Sequence, residues 1–507
     1  MSLPRAGVPW PPPSYTRNET ARWADLYAGR TIGRTEDILN PDPDLADSAT
    51  ETTRERRRVR GGLAADVAAT SASLVFGKAV NLRVPDHTGD HTGDHTGNHT
   101  TDPAATNADD RLEQIALGSG LHARLLEAGE LAAALGGVYL RAVADPAAAA
   151  DPYITVIDPT RADPIFVDGR LAAVTFWTDL RVDGTTIWRW VEHRDNRSRT
   201  IDTGLYRGTS ENLGAQVPLS SIPETAGLTP QAAYPPGVPR MAWYVPNVLP
   251  NRRHPASPQG RADIQGSESL CAAVDVILTS LVRDVRLGRA RIIVPTSALT
   301  PGAVAGAGST WNAEREMFTT LDMDPADPNA QIQMLQGAIR TSDHLDAVTA
   351  MVERAVVAAG YSPQTFGLHL DGSAQSGTAL KIREARTIAT VEAKRRYWAP
   401  VIADVAYTLL ALDAAVFGSQ VIPVRPRVEW PPVRDDDPLE RAQTIETLMR
   451  ARAVSVEEAV RLANPHHSES DIAMEAARVL MENGMQGDLA LLPGEHPVSG
   501  IDPQSHL

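Results

Sequence analysis

Residues 360–382 read GYSPQTFGLHLDGSAQSGTALKI, a glycine- and serine-rich stretch between two long helical patterns. Upstream, a helical signal over about 331–359 is clearest in SDHLDAVTAMVERAVVAAG, and Gly360 stands where a helix-ending glycine belongs. Downstream, a helix starting near Thr378 carries Ile382, Ala385, Ile388 and Ala389 on one stripe. It passes through the more polar Glu392, Lys394, Arg395 and Arg396 and resumes at Trp398, Val401, Ile402, Val405, Leu409 and Leu412, up to Phe417. Pro400 is expected to kink it or to start a second helix. If continuous, 378–417 spans about 60 Å, long for a globular domain. Further upstream, SESLCAAVDVILTSLVRDVRLG places Leu270, Ala273, Val274, Ile277, Leu278, Leu281, Val282 and Val285 at spacings of three and four. They form one stripe, with Asp275 and Asp284 off it. Any fold must therefore accommodate several long rods and a segment that interrupts two of them.

The rest of the chain frames these rods. Residues 1–50 are rich in Pro, Asp and Thr, with Trp10, Trp23 and Tyr27 as isolated anchors, and read as an extended, partly ordered arm. Leu63, Val67, Leu74 and Val75 suit a helix ending at Gly77. The Arg54–Arg60 run before it is either a solvated face or a contact for phosphate or an acidic partner. DHTGDHTGDHTGNHTTD, residues 86–102, repeats every four residues and spaces His87, His91, His95 and His99 evenly. Its glycines and threonines oppose a helix that would fix ligands, so it reads as a flexible surface loop rather than a metal site. A helix is expected over 110–135, then an antiparallel sheet over 137–208 with Asp-Pro and Asp-Gly turns. Trp177, Trp188 and Trp190 there read as packing residues. A Pro-rich stretch, 209–260, holds a short strand at RMAWYVPN, and ARIIVP reads as another. In the tail, Asp437, Ser455 and Ser468 each stand three residues before an acid, predicting short helices at 438–452, 456–463 and 469–483.

Little catalytic chemistry is visible. GAVAGAG at 302–308 lacks the lysine and hydroxyl residue of a phosphate-binding loop. Asp322, Asp324 and Asp327 lack the glycine and distal glutamate of a calcium loop. No Gly-x-Ser-x-Gly elbow or His-Glu-x-x-His pair occurs, and His466 and His467 adjoin a predicted cap. The lone cysteine, Cys271, sits among small apolar residues on a helix, which excludes an internal disulfide framework and argues for burial. No catalytic residue, cofactor or metal ligand is assigned. The first residues lack the apolar core of a signal peptide, and no window of eighteen apolar residues predicts a membrane span. With 507 residues, a formal charge of −15 and a pI near 5.4, the chain can hold several domains but does not present a generic basic nucleic-acid surface.

The order of three stretches is specific: RRRVRGGLAADVAATSASLVFG, then GRADIQGSESLCAAVDVILTSLVRDV, then VVAAGYSPQTFGLHLDGSAQSGTALKIREARTIATVEAKRRYWAP. Over roughly 20–485 the chain resembles phage portal proteins of tailed siphoviruses and their prophages. The HTGD repeat departs from the pattern as a local insertion. The resemblance implies an α+β portal fold with wing, helical stem, clip and helical crown, assembled as a homo-oligomeric ring, usually of twelve subunits, at one capsid vertex. It implies a wing over 51–261, stem helices at 262–288 and 331–359, a clip at 289–330 and a tunnel loop at 360–377. A long wing helix and return at 378–435, a crown at 436–485 and a loose tail at 486–507 complete the scheme.

The resemblance further implies that Gly360, Gly367, Gly372, Ser373, Gln375, Ser376 and Gly377 face a channel for double-stranded DNA. The glycines loosen the backbone there, and Tyr361 and Phe366 anchor its base. Lys381, Arg383 and Arg386 offer limited phosphate contact. The implied partners are a large terminase that hydrolyses ATP, major capsid and scaffolding proteins, and head-completion or adaptor proteins; the chain itself is expected to be no enzyme and to meet no membrane. The location implied is the virion's portal vertex, with the host cytoplasm during assembly. On the residues alone two other classes stay open: a metal-dependent nucleic-acid-processing enzyme using Asp322 and Asp324, and a capsid or tail scaffold without a channel.

Overall fold

The structure, a computed structural model, describes residues 3–30, 59–84, 103–288, 291–293, 333–335, 339–368, 377–433, 438–464 and 469–489. The chain divides into two compact units, Met1–Pro431 and Pro432–Leu507. The HTGD repeat, the glycine-rich 302–308, Asp322, Asp324, Asp327, His466 and His467 lie outside the described residues.

The first unit begins with a correction. The sequence predicts an extended arm over 1–50, yet helix α1 (Arg17–Tyr27) forms and buries Trp23 in the core. Trp10 is buried against Trp177, ring centroids 4.9 Å apart. Two large aromatic faces removed from water offset the cost of ordering a Pro-rich segment. Helix α2 (Leu63–Phe76) ends before Gly77 as its pattern predicts. Strand β1 (Asn81–Arg83) follows. The single helix expected over 110–135 is two, α3 (Pro103–Gly118) and α4 (Leu121–Leu135). The break falls at Gly120, whose φ of 65° is a left-handed value that a right-handed helix does not continue through. Packing of α2 on α4 is close: a Cβ on Gly129 would lie 2.8 Å from the Phe76 ring.

Two antiparallel sheets follow. Strands β2 (Gly137–Val143) and β3 (Tyr153–Ile157) pair beside β10 (Ala242–Pro246), in the order β10-β2-β3. The larger sheet runs through β4 (Ala162–Val167), β5 (Arg170–Asp183), β6 (Thr186–Asp195), β7 (Thr200–Gly208) and β8 (Ala215–Val217). Strand β9 (Gln231–Ala233) adds to β7. Asp168 and Gly169 close the first hairpin with φ of 49° and 75°, the left-handed pair that an Asp-Gly turn supplies. The register places Trp177 opposite Val191 and Val191 opposite Gly204. Trp188 and Trp190 lie under the guanidinium groups of Arg207 and Arg141, in keeping with the packing role read from sequence.

The long rods come next. Helix α5 (Glu268–Leu287) leads to strand β11 (Arg291–Ile293). Strand β12 (Gln333–Leu335) leads to helix α6 (Thr341–Ala359). The start near 331 is thus corrected: residues 333–335 pair antiparallel with 291–293, and that ladder takes the backbone groups a helix would need. The two helices run antiparallel. Cys271 and Val274 of α5 share a core cluster with Ala355, Val356 and Ala359 of α6, while Asp284 at the other end meets Arg340 and His344.

Helix α7 (Gly377–Leu412) is continuous through Pro400 and ends in a wider turn, Asp413–Phe417. Pro400 therefore starts no second helix, although it leaves the carbonyl four residues back without its N–H. At 1.5 Å per residue α7 is about 54 Å long. By length and composition, Glu384–Phe417 is apolar enough to cross a membrane. Here Val391, Trp398, Ile402, Val405, Leu409 and Leu410 on it are buried, with Trp398 edge-on to Phe76 at 4.8 Å. Strand β13 (Arg427–Glu429) returns to pair with β1.

The second unit holds α8 (Pro438–Arg450), α9 (Val456–Ala463) and α10 (Glu469–Leu489). Val460, Ile472 and Ala476 form its small core. Ser455 caps α9 by accepting a hydrogen bond from the Glu458 amide at 3.2 Å, the cap its spacing predicts.

Candidate functional site

The site is built where the helical pair meets α7. Helix α6 ends at Gly360 with φ of 101°. A Cβ there would lie 2.9 Å from Thr390 Oγ1 as well as in a left-handed backbone. Residues Pro363–Phe366 form one tight turn, closed by Gly367 at φ 74°. Gly360 and Gly367 thus hold defined left-handed turns, which corrects the expectation that they loosen the backbone. Tyr361 is fully buried and Phe366 meets it edge-on at 6.0 Å, the anchoring role read from sequence.

One face of α7 receives this segment through a polar ladder. Arg386 Nη2 donates to Val357 O at 2.8 Å. Thr390 Oγ1 donates to Gly360 O at 2.6 Å. The Ser362 amide donates to Thr387 Oγ1 at 2.9 Å, and Thr365 Oγ1 lies 2.9 Å from the same hydroxyl. One turn further on, Lys394 Nζ donates to both oxygens of Asp263, at 2.8 and 2.7 Å, and to Ser71 Oγ at 2.7 Å. Asp263 also accepts from Asn247 Nδ2 at 2.8 Å and from the Tyr361 hydroxyl at 3.0 Å. Lys394 and Asp263 are 2% and 1% exposed, so the pair is sealed from water. Burial pushes the Tyr361 phenol well above its ordinary value, and the Asp263 charge adds to this. Burial pulls the Lys394 ammonium below the ordinary lysine value, against the opposing pull of Asp263.

At the far end of the pair, His344 Nε2 lies 3.0 Å from Asp284 Oδ2 and Arg340 Nη2 lies 3.4 Å from it. The hydrogen bond from His344, with Arg340 in support, holds the Asp284 carboxyl below the usual range. Along the pair Val276, Val285 and Leu345 are exposed, and Ile339 at its foot is too.

Of the residues singled out in the sequence, Gly360 and Gly367 are placed as above. Gly377 is the first residue of α7. Gly372, Ser373, Gln375 and Ser376 lie outside the described residues. Lys381 and Arg383 belong to the first turns of α7, and only their backbone is described. Arg386 is exposed, but one of its N–H groups is engaged on Val357. Sequence reasoning placed Lys394 in a polar run and passed over Asp263. The signal within reach was the spacing of Arg386, Thr390 and Lys394, four residues apart on the helix row that Ile382 opens and Trp398 closes, so that polar groups stand where the apolar pattern would continue.

The chemistry available here is positional. Burial pushes the Cys271 thiol up to about 12, with Asp275 and Glu268 adding to it, so it is no thiolate at neutral pH. Among the described residues no group of three His, Cys, Asp or Glu is placed to hold a metal ion.

Three comparisons bear on identity. A search of curated proteins found no match. Among solved structures, the chain is similar to the neck of an empty gene transfer agent particle, with 15% identity and a TM-score of 0.40 over 90% of this chain and 96% of that one. It is similar to a chain in the virion of a native gene transfer agent particle, with 14% identity and a TM-score of 0.39 over 90% and 96%. A third similar structure is the neck of the native particle with C12 symmetry, with 13% identity and a TM-score of 0.39 over 90% and 95%. The family model described as phage portal protein, SPP1 Gp6-like, matches residues 14–478. That match takes in both sheets, the helical pair, the polar ladder and the small helical unit as far as the middle of α10, and on it the chain belongs to the phage portal family, structural proteins of the capsid's portal vertex.

Proposed function

We propose that this chain is the subunit of a closed ring, twelve copies around one capsid vertex, through which double-stranded DNA enters and leaves. In this reading α5 and α6 are the stem, 289–330 the clip that docks a terminase and later the head-completion or adaptor proteins, and 360–377 the segment facing the bore. Capsid and scaffolding proteins meet the wing. Assembly takes place in the host cytoplasm. The chain supplies positioning rather than catalysis, and the ATP-driven work belongs to the terminase.

One observation carries the reading beyond the family. The antiparallel pair exposes Val276, Val285 and Leu345 in a lone subunit, and exposed apolar side chains on a rod are satisfied when neighbouring rods close around an axis. Such an interface is heterologous, with different faces meeting, and it closes into a ring only if the rotation between copies does. The charge of −15 suits a passage that DNA must slide through, because a basic wall would bind phosphates tightly and in a salt-dependent way. Electron microscopy of the purified, assembled protein tests it. Rings with a central opening wide enough for a duplex are expected. Particles without a bore, or a chain that stays monomeric under assembly conditions, would return the reading to a scaffold without a channel.

A further inference from the structure

The buried Lys394–Asp263 pair ties together five separate stretches of chain. Ser71 comes from α2, Asn247 from the end of β10, Asp263 from the approach to α5, Tyr361 from the exit of α6, and Lys394 from α7. All three N–H groups of Lys394 are used, and the Asp263 carboxylate accepts four hydrogen bonds from three side chains. Stability alone does not account for this arrangement, because an apolar pair of similar volume in such a place is often as stable or more so. What the charges add is direction. Apolar surfaces slide over one another at little cost, whereas three donors and four acceptor sites are all filled in one geometry. A shift of α7 by one turn would set Thr390 beside Asp263 and leave the carboxylate without its ammonium partner.

We propose that Lys394 is a positioning residue that fixes where the segment beginning at Gly360 leaves the body, by locking α7, the entry to α5 and the exit of α6 to one another. This rests on the portal reading for its use, since a segment facing a bore must start from the same place in every copy. Thr387, Thr390 and Arg386 extend the lock along the same face, and Lys394 is its only rung that is both charged and buried.

The test is hydrogen exchange on the full chain, comparing wild type with K394M, D263N, K394M/D263N and Y361F. In K394M, amides of 360–368 are expected to lose protection by about tenfold or more, while those of β5 to β7 keep theirs. The double variant, which removes both charges at nearly constant volume and so leaves no unpaired charge, is expected to stay as unprotected over 360–368 as K394M, because neither charge remains to set the register. Y361F, which removes one hydrogen bond and keeps the pair, is expected to lose a smaller part. Unchanged exchange at 360–368 in K394M would overturn the proposal. So would a double variant protected like wild type, since the stranded Asp263 carboxylate, and not the loss of the lock, would then account for K394M. If K394M does not fold, Y361F and the double variant decide in the same way. Exchange is read on the chain itself, so a wild type that forms no ring would sink the proposed function without touching this result.

Discussion

At the scale of single residues, the junction of the two sheets rests on charges as much as on apolar packing. Burial would push the Glu192 carboxyl up, but Arg194 and Arg141 outweigh it and hold it below the ordinary glutamate value. Arg194 donates to Glu192 at 2.5 Å and to the carbonyls of Ala142 and Met241 at 2.7 and 3.0 Å, so this group joins β6 to the smaller sheet. A carboxyl whose folded pKa is lowered contributes stability above its unfolded value and loses it as the pH falls through the folded one. E192Q is therefore expected to lower stability at neutral pH by about 3 kcal/mol, with the gap to wild type closing as the pH is taken below the usual glutamate range. Thermal unfolding across pH measures both. G360A is expected to cost about 1–2 kcal/mol, because an L-residue there is left-handed and its Cβ crowds Thr390. Gly360 was legible because a helix-ending glycine announces itself in sequence. The Lys394–Asp263 pair was not, because a lysine beside two arginines reads as a solvated run until residues 131 positions apart are brought together.

At the scale of elements, local rules carried well where local interactions decide. The Asp-Gly hairpins, the stripe of α5 and the cap at Ser455 all follow from a few neighbouring residues. S455A is expected to weaken α9 by about 1 kcal/mol, seen as faster amide exchange over 456–463 with no change in β5 to β7. The departures come from partners distant in sequence. Gln333–Leu335 pairs with Arg291–Ile293 instead of extending α6. Trp23 folds into a helix a segment that composition describes as loose, because a buried site awaits its ring. Continuity of α7 past Pro400 is of the same kind, with Trp398 and Ile402 buried on either side of the proline.

At the scale of the whole molecule, the predictions concern copies and their passenger. L345D places a charge on an exposed apolar position of α6. It is expected to leave the circular dichroism spectrum unchanged while shifting native mass from rings to monomers; rings at wild-type yield would count against the α5–α6 pair as the interface. Lys381 and Arg383 are the cleaner test of phosphate contact, since Arg386 also supports α6. K381A/R383A is expected to assemble normally and to change the rate or the length of DNA packaged in a particle assay; identical packaging would remove phosphate contact from the account. Fold class was readable from the order of rods and hairpins. Which surfaces meet in a ring was not, because a single chain's sequence records an apolar residue without recording whether its neighbour belongs to the same copy.

The short ladder between Arg291–Ile293 and Gln333–Leu335 governs more of the chain than its three pairs. Whatever residues 294–332 build, they depart and return through one stitched doorway. A change of length between the two strands would leave unmoved the two points at which that stretch joins the helical pair.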